Sequence, residues 1–150
     1  MGRMKRIGFI GLGQMGRNMV LNLLDHKYEV VAYNRSTDKV KAIEKEGALG
    51  AYSVEELVGK LPEKKVVWLM VSSGTAVDAL IYTLIPLLNK GDIIIDGGNS
   101  YYKDTLRRAE KIKATGIHYM DVGTSGGIAG ARNGACMMIG AEKEDYDYLE

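Results

Sequence analysis

Two hydrophobic patterns alternate along the chain. Short, nearly continuous apolar runs predict buried strands, and longer stretches with apolar residues at every third or fourth position predict amphipathic helices. The predicted strands are Arg6–Ile10, Glu29–Tyr33, Lys65–Val71, Asp92–Ile95, Ile117–Val122 and Ala135–Gly140. The predicted helices are Gln14–His26, Thr37–Glu46, Val54–Leu61, Thr75–Leu88 and Tyr102–Thr115, with one more beginning at Glu142.

This alternation is typical of α/β folds, in which helices join parallel strands and cover both faces of one sheet. We expect Ser53 to cap the third helix, and Gly47 and Gly50 to end the second. The apolar spacing of the fifth helix predicts that Leu106 faces inward. The glycine-rich stretch Gly123–Gly134 is predicted to be a loop.

Composition narrows the possible partners and compartment. The 150 residues suit one domain, which we take to be residues 1–150, and a net charge of +1 gives no reason to expect nucleic acid or an anionic membrane as a partner. No run approaches the roughly 20 apolar residues of a membrane span. The single cysteine, Cys136, leaves no internal disulfide or paired-cysteine metal site, so we expect a cytoplasmic protein without a bound metal. A helix with Tyr146 and Leu149 has only begun when the sequence reaches Glu150, so we expect a longer protein.

The segment Gly11-Leu12-Gly13-Gln14-Met15-Gly16 joins the first predicted strand to the first predicted helix. In this context G-x-G-x-x-G is typical of the Rossmann fold, a doubly wound, mostly parallel sheet that binds dinucleotides. The three glycines allow a tight turn, a close approach of backbone to pyrophosphate, and tight packing of helix on strand. We therefore predict that Gly11 to Gly16 bind a cofactor, the alternative being a tight turn without a ligand.

The second predicted strand ends in Asn34-Arg35-Ser36, where NAD-binding domains place a carboxylate for the ribose hydroxyls. Arg35 can pair with a 2′-phosphate, and Asn34 and Ser36 can donate hydrogen bonds to it. We predict NADP as the cofactor, with NAD possible. The alternative is an exposed arginine followed by Ser36 as a helix cap.

Three more loops follow predicted strands, at the edge where parallel sheets bind ligands. Val71-Ser72-Ser73 is predicted to contact the cofactor, although Ser73 could equally cap a helix. In Asp96-Gly97-Gly98-Asn99-Ser100, the amide of Asn99 can both donate to and accept from nicotinamide and substrate, the alternative being a simple turn. In the last loop, Ser125, Gly126 and Gly127 could hold a carboxylate or hydroxyl, the alternative being a flexible surface loop.

Together these residues resemble decarboxylating 6-phosphogluconate dehydrogenase, of the β-hydroxyacid dehydrogenase superfamily. The resemblance spans nearly the whole chain in the family's order, and its most specific part is Asp96-Gly97-Gly98-Asn99-Ser100. The other matching pieces are Gly11–Gly16, Asn34-Arg35-Ser36, Asp104-Thr105 with Arg107-Arg108, and Ser125-Gly126-Gly127 with Gly130-Ala131-Arg132.

The resemblance implies that Gly11 to Gly16, Asn34 to Ser36 and Val71 to Ser73 bind cofactor. It further implies that Asn99 contacts cofactor and substrate, and that Ser125, Gly126 and Gly127 hold a phosphorylated sugar acid. The family's catalytic Lys and Glu belong to a following all-helical domain, usually also the dimer interface. We therefore expect both catalytic residues beyond Glu150 and none in this chain.

Two positions depart from the family pattern. Ser72 stands where the family has Lys, and Ile128 and Ala129 stand where it usually has two Glu, as in a shorter bacterial and archaeal branch with some NAD-preferring members. Two other functions stay open. One is a non-decarboxylating dehydrogenase of the 3-hydroxyisobutyrate type, and the other is a non-catalytic module that senses NADP.

Overall fold

The computed structural model describes residues 6–62, 64–71, 75–97, 102–125 and 136–140. The strands are β1 (Arg6–Ile10), β2 (Glu29–Tyr33), β3 (Leu49–Gly50), β4 (Val66–Leu69), β5 (Ile93–Asp96), β6 (His118–Ser125) and β7 (Cys136–Gly140). The helices are α1 (Gln14–Asp25), α2 (Thr37–Glu44), α3 (Val54–Gly59), α4 (Thr75–Leu84) and α5 (Tyr102–Lys113), and a 3-10 turn at Ile85–Leu87 extends α4. Each strand and helix predicted within these ranges is present.

The strands form one sheet in the order β3-β2-β1-β4-β5-β6-β7. Neighbouring strands from β3 to β6 are parallel, and β7 pairs antiparallel with β6. The chain moves outward from β1 through β2 to β3, then returns to the other side of β1 at β4. The predicted doubly wound, mostly parallel sheet is confirmed, and its topological switch point lies between β1 and β4.

Both faces of the sheet are covered, because successive strand residues point to opposite sides. In β5, Ile93 and Ile95 pack in the cluster that contains residues of α1 and α2, and Ile94 packs in the cluster that contains residues of α3, α4 and α5. All three isoleucines are buried. This explains why the central strands are continuous apolar runs.

A buried carboxylate ties two strands together at the amino-terminal edge of the sheet. Asp92 accepts hydrogen bonds from the backbone N–H of Lys65 at 2.9 Å and of Asn89 at 2.7 Å.

Ser53 caps α3 as predicted, since its hydroxyl accepts a hydrogen bond from the N–H of Glu56. Within the described ranges, no helix is both long and apolar enough to cross a bilayer.

The structure corrects three sequence predictions. Gly50 does not end a helix but pairs in β3, whose two residues are too few for a periodic signal. Gly123, Thr124 and Ser125 do not belong to a loop, because β6 continues to Ser125 through pairing with β7; the rest of the predicted loop lies outside the described ranges. Leu106 is 62% exposed, because the inward face of α5 passes through Arg108 and Ile112, one turn apart.

Candidate dinucleotide-binding site

The turn after β1 is built on two glycines that the fold itself requires. Gly11 has a φ of +106°, and its N–H donates to the carbonyl oxygen of Tyr33 at 3.0 Å. A Cβ on Gly11 would press against the carbonyl oxygen of Met70, and a Cβ on Gly16 would press against the carbonyl oxygen of Gly11. Any side chain at either position would therefore push α1 or β4 out of place.

Gly13 is different, because no contact among the described residues requires a glycine there. It is the exposed N-cap of α1, with an ordinary φ of −68°. Apart from its two neighbours in the chain, no described residue has an atom within 4 Å of the position that a Cβ on Gly13 would take. The space beside it opens onto the N-terminus of α1, where backbone N–H groups and the helix dipole favour an anion. A side chain on Gly13 would occupy this space.

Asn34 connects the glycine turn to the end of β2. Its side-chain oxygen accepts a hydrogen bond from the N–H of Leu12 at 2.9 Å. The sequence predicts Asn34 only as a donor to the cofactor, and the structure adds this contact to the turn. The bond holds the turn of β1 against the strand end that precedes Arg35.

A cavity of about 310 Å³ lies between the N-terminal parts of α1 and α2. It is lined by Leu12, Gly13, Gln14, Arg17, Asp38, Lys39 and Ala42. Arg17 follows Gly13 by one helical turn, which is the sequence signal that could have identified it. Arg17 also pairs with Glu46 at 3.9 Å, and both side chains are exposed.

The predicted 2′-phosphate residues flank the start of α2. Arg35 and Ser36 are both exposed. Ser36 is the N-cap of α2, but its side chain makes no capping hydrogen bond. The alternative interpretation, an exposed Arg35 followed by Ser36 as a helix cap, agrees with these positions, although the cap is made without a side-chain hydrogen bond.

The remaining predicted residues belong to the same carboxyl edge of the sheet or lie outside the described ranges. Val71 follows β4, is half-buried, and its Cγ1 lies 3.0 Å from the Cβ position of Gly11. The backbone of Ser125 ends β6 at this edge. The predicted residues outside the described ranges are Ser72, Ser73, Asn99, Gly126 and Gly127. Glu150, beyond which the catalytic Lys and Glu are expected, also lies outside those ranges, so that expectation stays a prediction.

The strand order, the switch point beside the glycine turn, and the open N-terminus of α1 together define a Rossmann-type dinucleotide-binding domain. The chain belongs to the family described as the NAD binding domain of 6-phosphogluconate dehydrogenase, which matches residues 6–150.

Similar proteins include two curated bacterial relatives and one solved structure. The chain is 47% identical to the decarboxylating 6-phosphogluconate dehydrogenase of Haemophilus influenzae, covering 96% of the chain and 31% of that protein. It is 43% identical to a Bacillus subtilis protein provisionally named 6-phosphogluconate dehydrogenase YqeC, covering 97% of the chain and 48% of that protein. The Plasmodium falciparum 6-phosphogluconate dehydrogenase, solved in its apo form, with NADP+ and with 6-phosphogluconate, superposes with a TM-score of 0.88 at 38% identity, covering 95% of the chain and 32% of that structure. The chain thus spans from 31% to 48% of these proteins' lengths.

Proposed function

We propose that this chain is the NADP-binding domain of an enzyme that converts 6-phosphogluconate to ribulose 5-phosphate, with loss of carbon dioxide. The observation that supports cofactor binding is Gly13, whose missing side chain leaves a space that a diphosphate suits and the fold does not need. The choice of substrate is supported by the relatives, which are named for that reaction. We further propose that residues 1–150 form one domain and that a helical domain follows.

The preference for NADP is supported by charge around the ribose end of the proposed site. Arg35 is exposed at the end of β2, where a carboxylate would favour NAD. Two further cations, Arg17 and Lys39, line the adjacent cavity, together with the carboxylate of Asp38. An arginine fork matches phosphate geometry, so Arg35 is the residue that we assign to the 2′-phosphate, with Asn34 and Ser36 beside it.

The domain's part in the reaction is binding and orientation. Bound NADP supplies the acceptor for the hydride that leaves the sugar acid. The backbone of Gly11 to Gly16 holds the diphosphate, and Val71, Ser72 and Ser73 contact the cofactor further along the edge. Asn99 orients nicotinamide and substrate, and Ser125, Gly126 and Gly127 hold the sugar acid near its carboxylate. The catalytic base and acid are a Lys and a Glu of the following domain, beyond Glu150.

The wider setting is part of the same proposal. We propose a cytoplasmic enzyme of the pentose phosphate pathway, active as a homodimer through the helical domain, with a phosphorylated sugar acid as its partner molecule.

The reaction is tested on the complete protein. With 6-phosphogluconate and NADP, we expect one carbon dioxide released for each NADPH formed. Oxidation of 3-hydroxyisobutyrate without carbon dioxide release would instead identify the non-decarboxylating class. NADP binding without turnover of either acid would identify a sensing module.

The cofactor assignment is tested by replacing Arg35 with glutamine. We expect the affinity for NADP to fall about tenfold and the affinity for NAD to stay unchanged, because only NADP presents the 2′-phosphate that the guanidinium contacts. Titration calorimetry with each dinucleotide measures both values. Lys41→Gln, which removes an exposed cation within α2, is the control. Equal weakening of both dinucleotides in Arg35→Gln would contradict the assignment.

A further inference from the structure

A buried arginine lies on the α4–α5 side of the sheet, away from the glycine turn. Arg108 in α5 is 2% exposed. Its Nε donates to a carboxylate oxygen of Asp78 in α4 at 2.8 Å. Its terminal nitrogen NH1 lies 3.7 Å from a carboxylate oxygen of Asp96, the fully buried last residue of β5. The guanidinium therefore connects two helices to the point where β5 ends.

Asp96 is held from a second side. The hydroxyl of Tyr119 in β6 donates to Asp96 at 3.1 Å. The charge of Arg108 is maintained in this setting. Burial lowers the pKa of the guanidinium, but the hydrogen bond to Asp78 and the charges of Asp78, Tyr119 and Asp96 together raise it overall. Asp96 thus sits between a permanent cation and a hydroxyl.

Packing alone does not require a charge at position 108. A buried ion pair gains little over apolar groups of similar volume, because its desolvation offsets its attraction. Ile112, one turn later, already buries α5 against the sheet with an aliphatic side chain. What a guanidinium adds over another isoleucine is a buried positive charge, which lies 3.7 Å from the carboxylate of Asp96 as an ion pair longer than a hydrogen bond.

The position of the Asp96 carboxylate matters because Asp96 is the last residue of β5. The N–H of Gly97 donates to the carbonyl oxygen of Leu69 in β4 at 2.8 Å. A Cβ on Gly97 would press against the indole of Trp68, which is itself stacked on Phe9 with ring centroids 6.2 Å apart. Gly97 therefore lies closely packed between the backbone of β4 and the indole of Trp68.

We propose that Arg108 is a positioning residue for the reaction, which acts through Asp96 to set where the chain leaves β5 toward Asn99. This inference rests on the proposed function, in which Asn99 orients nicotinamide and sugar acid. Arg108 touches neither ligand. Its effect falls on the nicotinamide half of the site, and the adenylate half at the glycine turn does not depend on it.

The structure offers a matched control in the neighbouring residue. Arg107 also pairs with Asp78, at 3.1 Å, but its side chain is 54% exposed, whereas the buried Arg108 pairs with both Asp78 and Asp96. If kcat/KM falls only because α5 packs less tightly against α4, Arg107→Lys and Arg108→Lys should both lower it. If kcat/KM falls because Asp96 has moved, Arg108→Lys should lower it and Arg107→Lys should not.

The experiment uses the complete enzyme and three ligands. Binding of 2′,5′-ADP reports the adenylate half, binding of NADP reports both halves, and steady-state kinetics with 6-phosphogluconate report the nicotinamide half. For Arg108→Lys we expect kcat/KM to fall about tenfold to a hundredfold, the scale of an ångström misplacement, with the Kd of 2′,5′-ADP unchanged. For Arg107→Lys we expect all three values to match the unaltered enzyme.

Three results would overturn the inference. They are an unchanged kcat/KM in Arg108→Lys, an equal loss in Arg107→Lys, or a loss of 2′,5′-ADP affinity as large as the loss of kcat/KM. If Arg108→Lys does not fold, Tyr119→Phe decides, because it removes only the hydroxyl at Asp96. It should lower kcat/KM by a smaller factor and leave the Kd of 2′,5′-ADP unchanged, and an unaltered kcat/KM would overturn the inference.

A failure of the proposed function looks different. An unaltered enzyme that releases no carbon dioxide from 6-phosphogluconate refutes that function. The ratio of the NADP and 2′,5′-ADP dissociation constants in Arg108→Lys still tests the inference in that case. A raised ratio supports it, and an unchanged ratio overturns it.

Discussion

The carboxyl edge of this sheet is organised differently on its two sides. Beside β1 and β2, the glycine turn is held by backbone hydrogen bonds, by close backbone packing that leaves no room for side chains, and by the side-chain amide of Asn34. Beside β5 and β6, the edge is placed by the charges of Arg108 and Asp96 and by the hydroxyl of Tyr119. We call the β1–β2 part of the edge the bare side, because glycines leave its backbone without side chains, and the β5–β6 part the charged side. The bare side suits a small anion that binds backbone N–H groups, whereas the charged side holds a strand end through buried charges.

The largest expected effect is at the bare side. Replacing Gly13 with valine should weaken NADP binding about a hundredfold or more, because the side chain occupies the space assigned to the diphosphate. The melting temperature should fall only slightly, since a Cβ there contacts no described atom. Titration calorimetry and thermal unfolding measure the two effects. Gly59→Val, at another exposed glycine with open surroundings, should leave NADP binding unchanged. Tight NADP binding by Gly13→Val would refute the site.

The next effect is the loss of folding stability, which should be larger for a substitution at Gly16 than for one at Gly13. Gly16→Ala should lower the free energy of unfolding by about 1–3 kcal/mol, the cost of overpacking, because its methyl group meets the carbonyl oxygen of Gly11. Chemical denaturation without ligand measures this. Gly13→Ala serves as the control and should lose less. Equal stability of Gly16→Ala and the unaltered protein would mean that the turn is not as tightly packed as described.

The smallest effect concerns the charged side and depends on pH. The hydrogen bond from Arg108, with a further contribution from Arg107, lowers the pKa of the Asp78 carboxyl below its usual value. Ionised Asp78 therefore stabilises the fold above the unfolded pKa, about 3.9, and this stabilisation is lost as pH falls through the lower folded pKa.

We expect Asp78→Asn to unfold more easily than the unaltered protein at neutral pH, and the difference to narrow below about pH 4. Denaturation curves between pH 3 and pH 7 measure it. Asp38→Asn, at an exposed carboxylate of α2, is the control and should run parallel to the unaltered protein. A difference for Asp78→Asn that stays constant with pH would show that its charge does not stabilise the fold.

The bare side of the edge could be predicted from the sequence, because its signals are local. Glycines at fixed spacing after an apolar strand specify both the turn and the helix start, and the structure has both at those residues. Two of the glycines also have a structural reason that the fold makes visible, since Gly11 and Gly16 would clash with backbone if they carried side chains. The spacing of Arg17 one helical turn after Gly13 is also a local signal, but the cavity that Arg17 lines exists because α2 lies beside α1.

The charged side could not be predicted in the same way. Hydrophobic spacing in α5 predicts that Leu106 faces inward, whereas the structure buries Arg108 and leaves Leu106 exposed. An arginine among other charges gives no sign in sequence of a carboxylate at the end of another strand. Its partners Asp78 and Asp96 lie 30 and 12 residues away along the chain, so only the folded sheet brings them together.

The contact between Trp68 and Gly97 makes the strand exit optically visible. This chain has one tryptophan, and its indole nitrogen is buried, without a hydrogen-bond partner among the described residues. Indole fluorescence responds to nearby dipoles, so a shift of the backbone at Gly97 changes the wavelength of the emission maximum and the quantum yield of Trp68. Reduced nicotinamide absorbs at the wavelengths where tryptophan emits. Trp68 can therefore act as the donor and reduced nicotinamide as the acceptor in resonance energy transfer, so that cofactor binding can be followed without an attached dye.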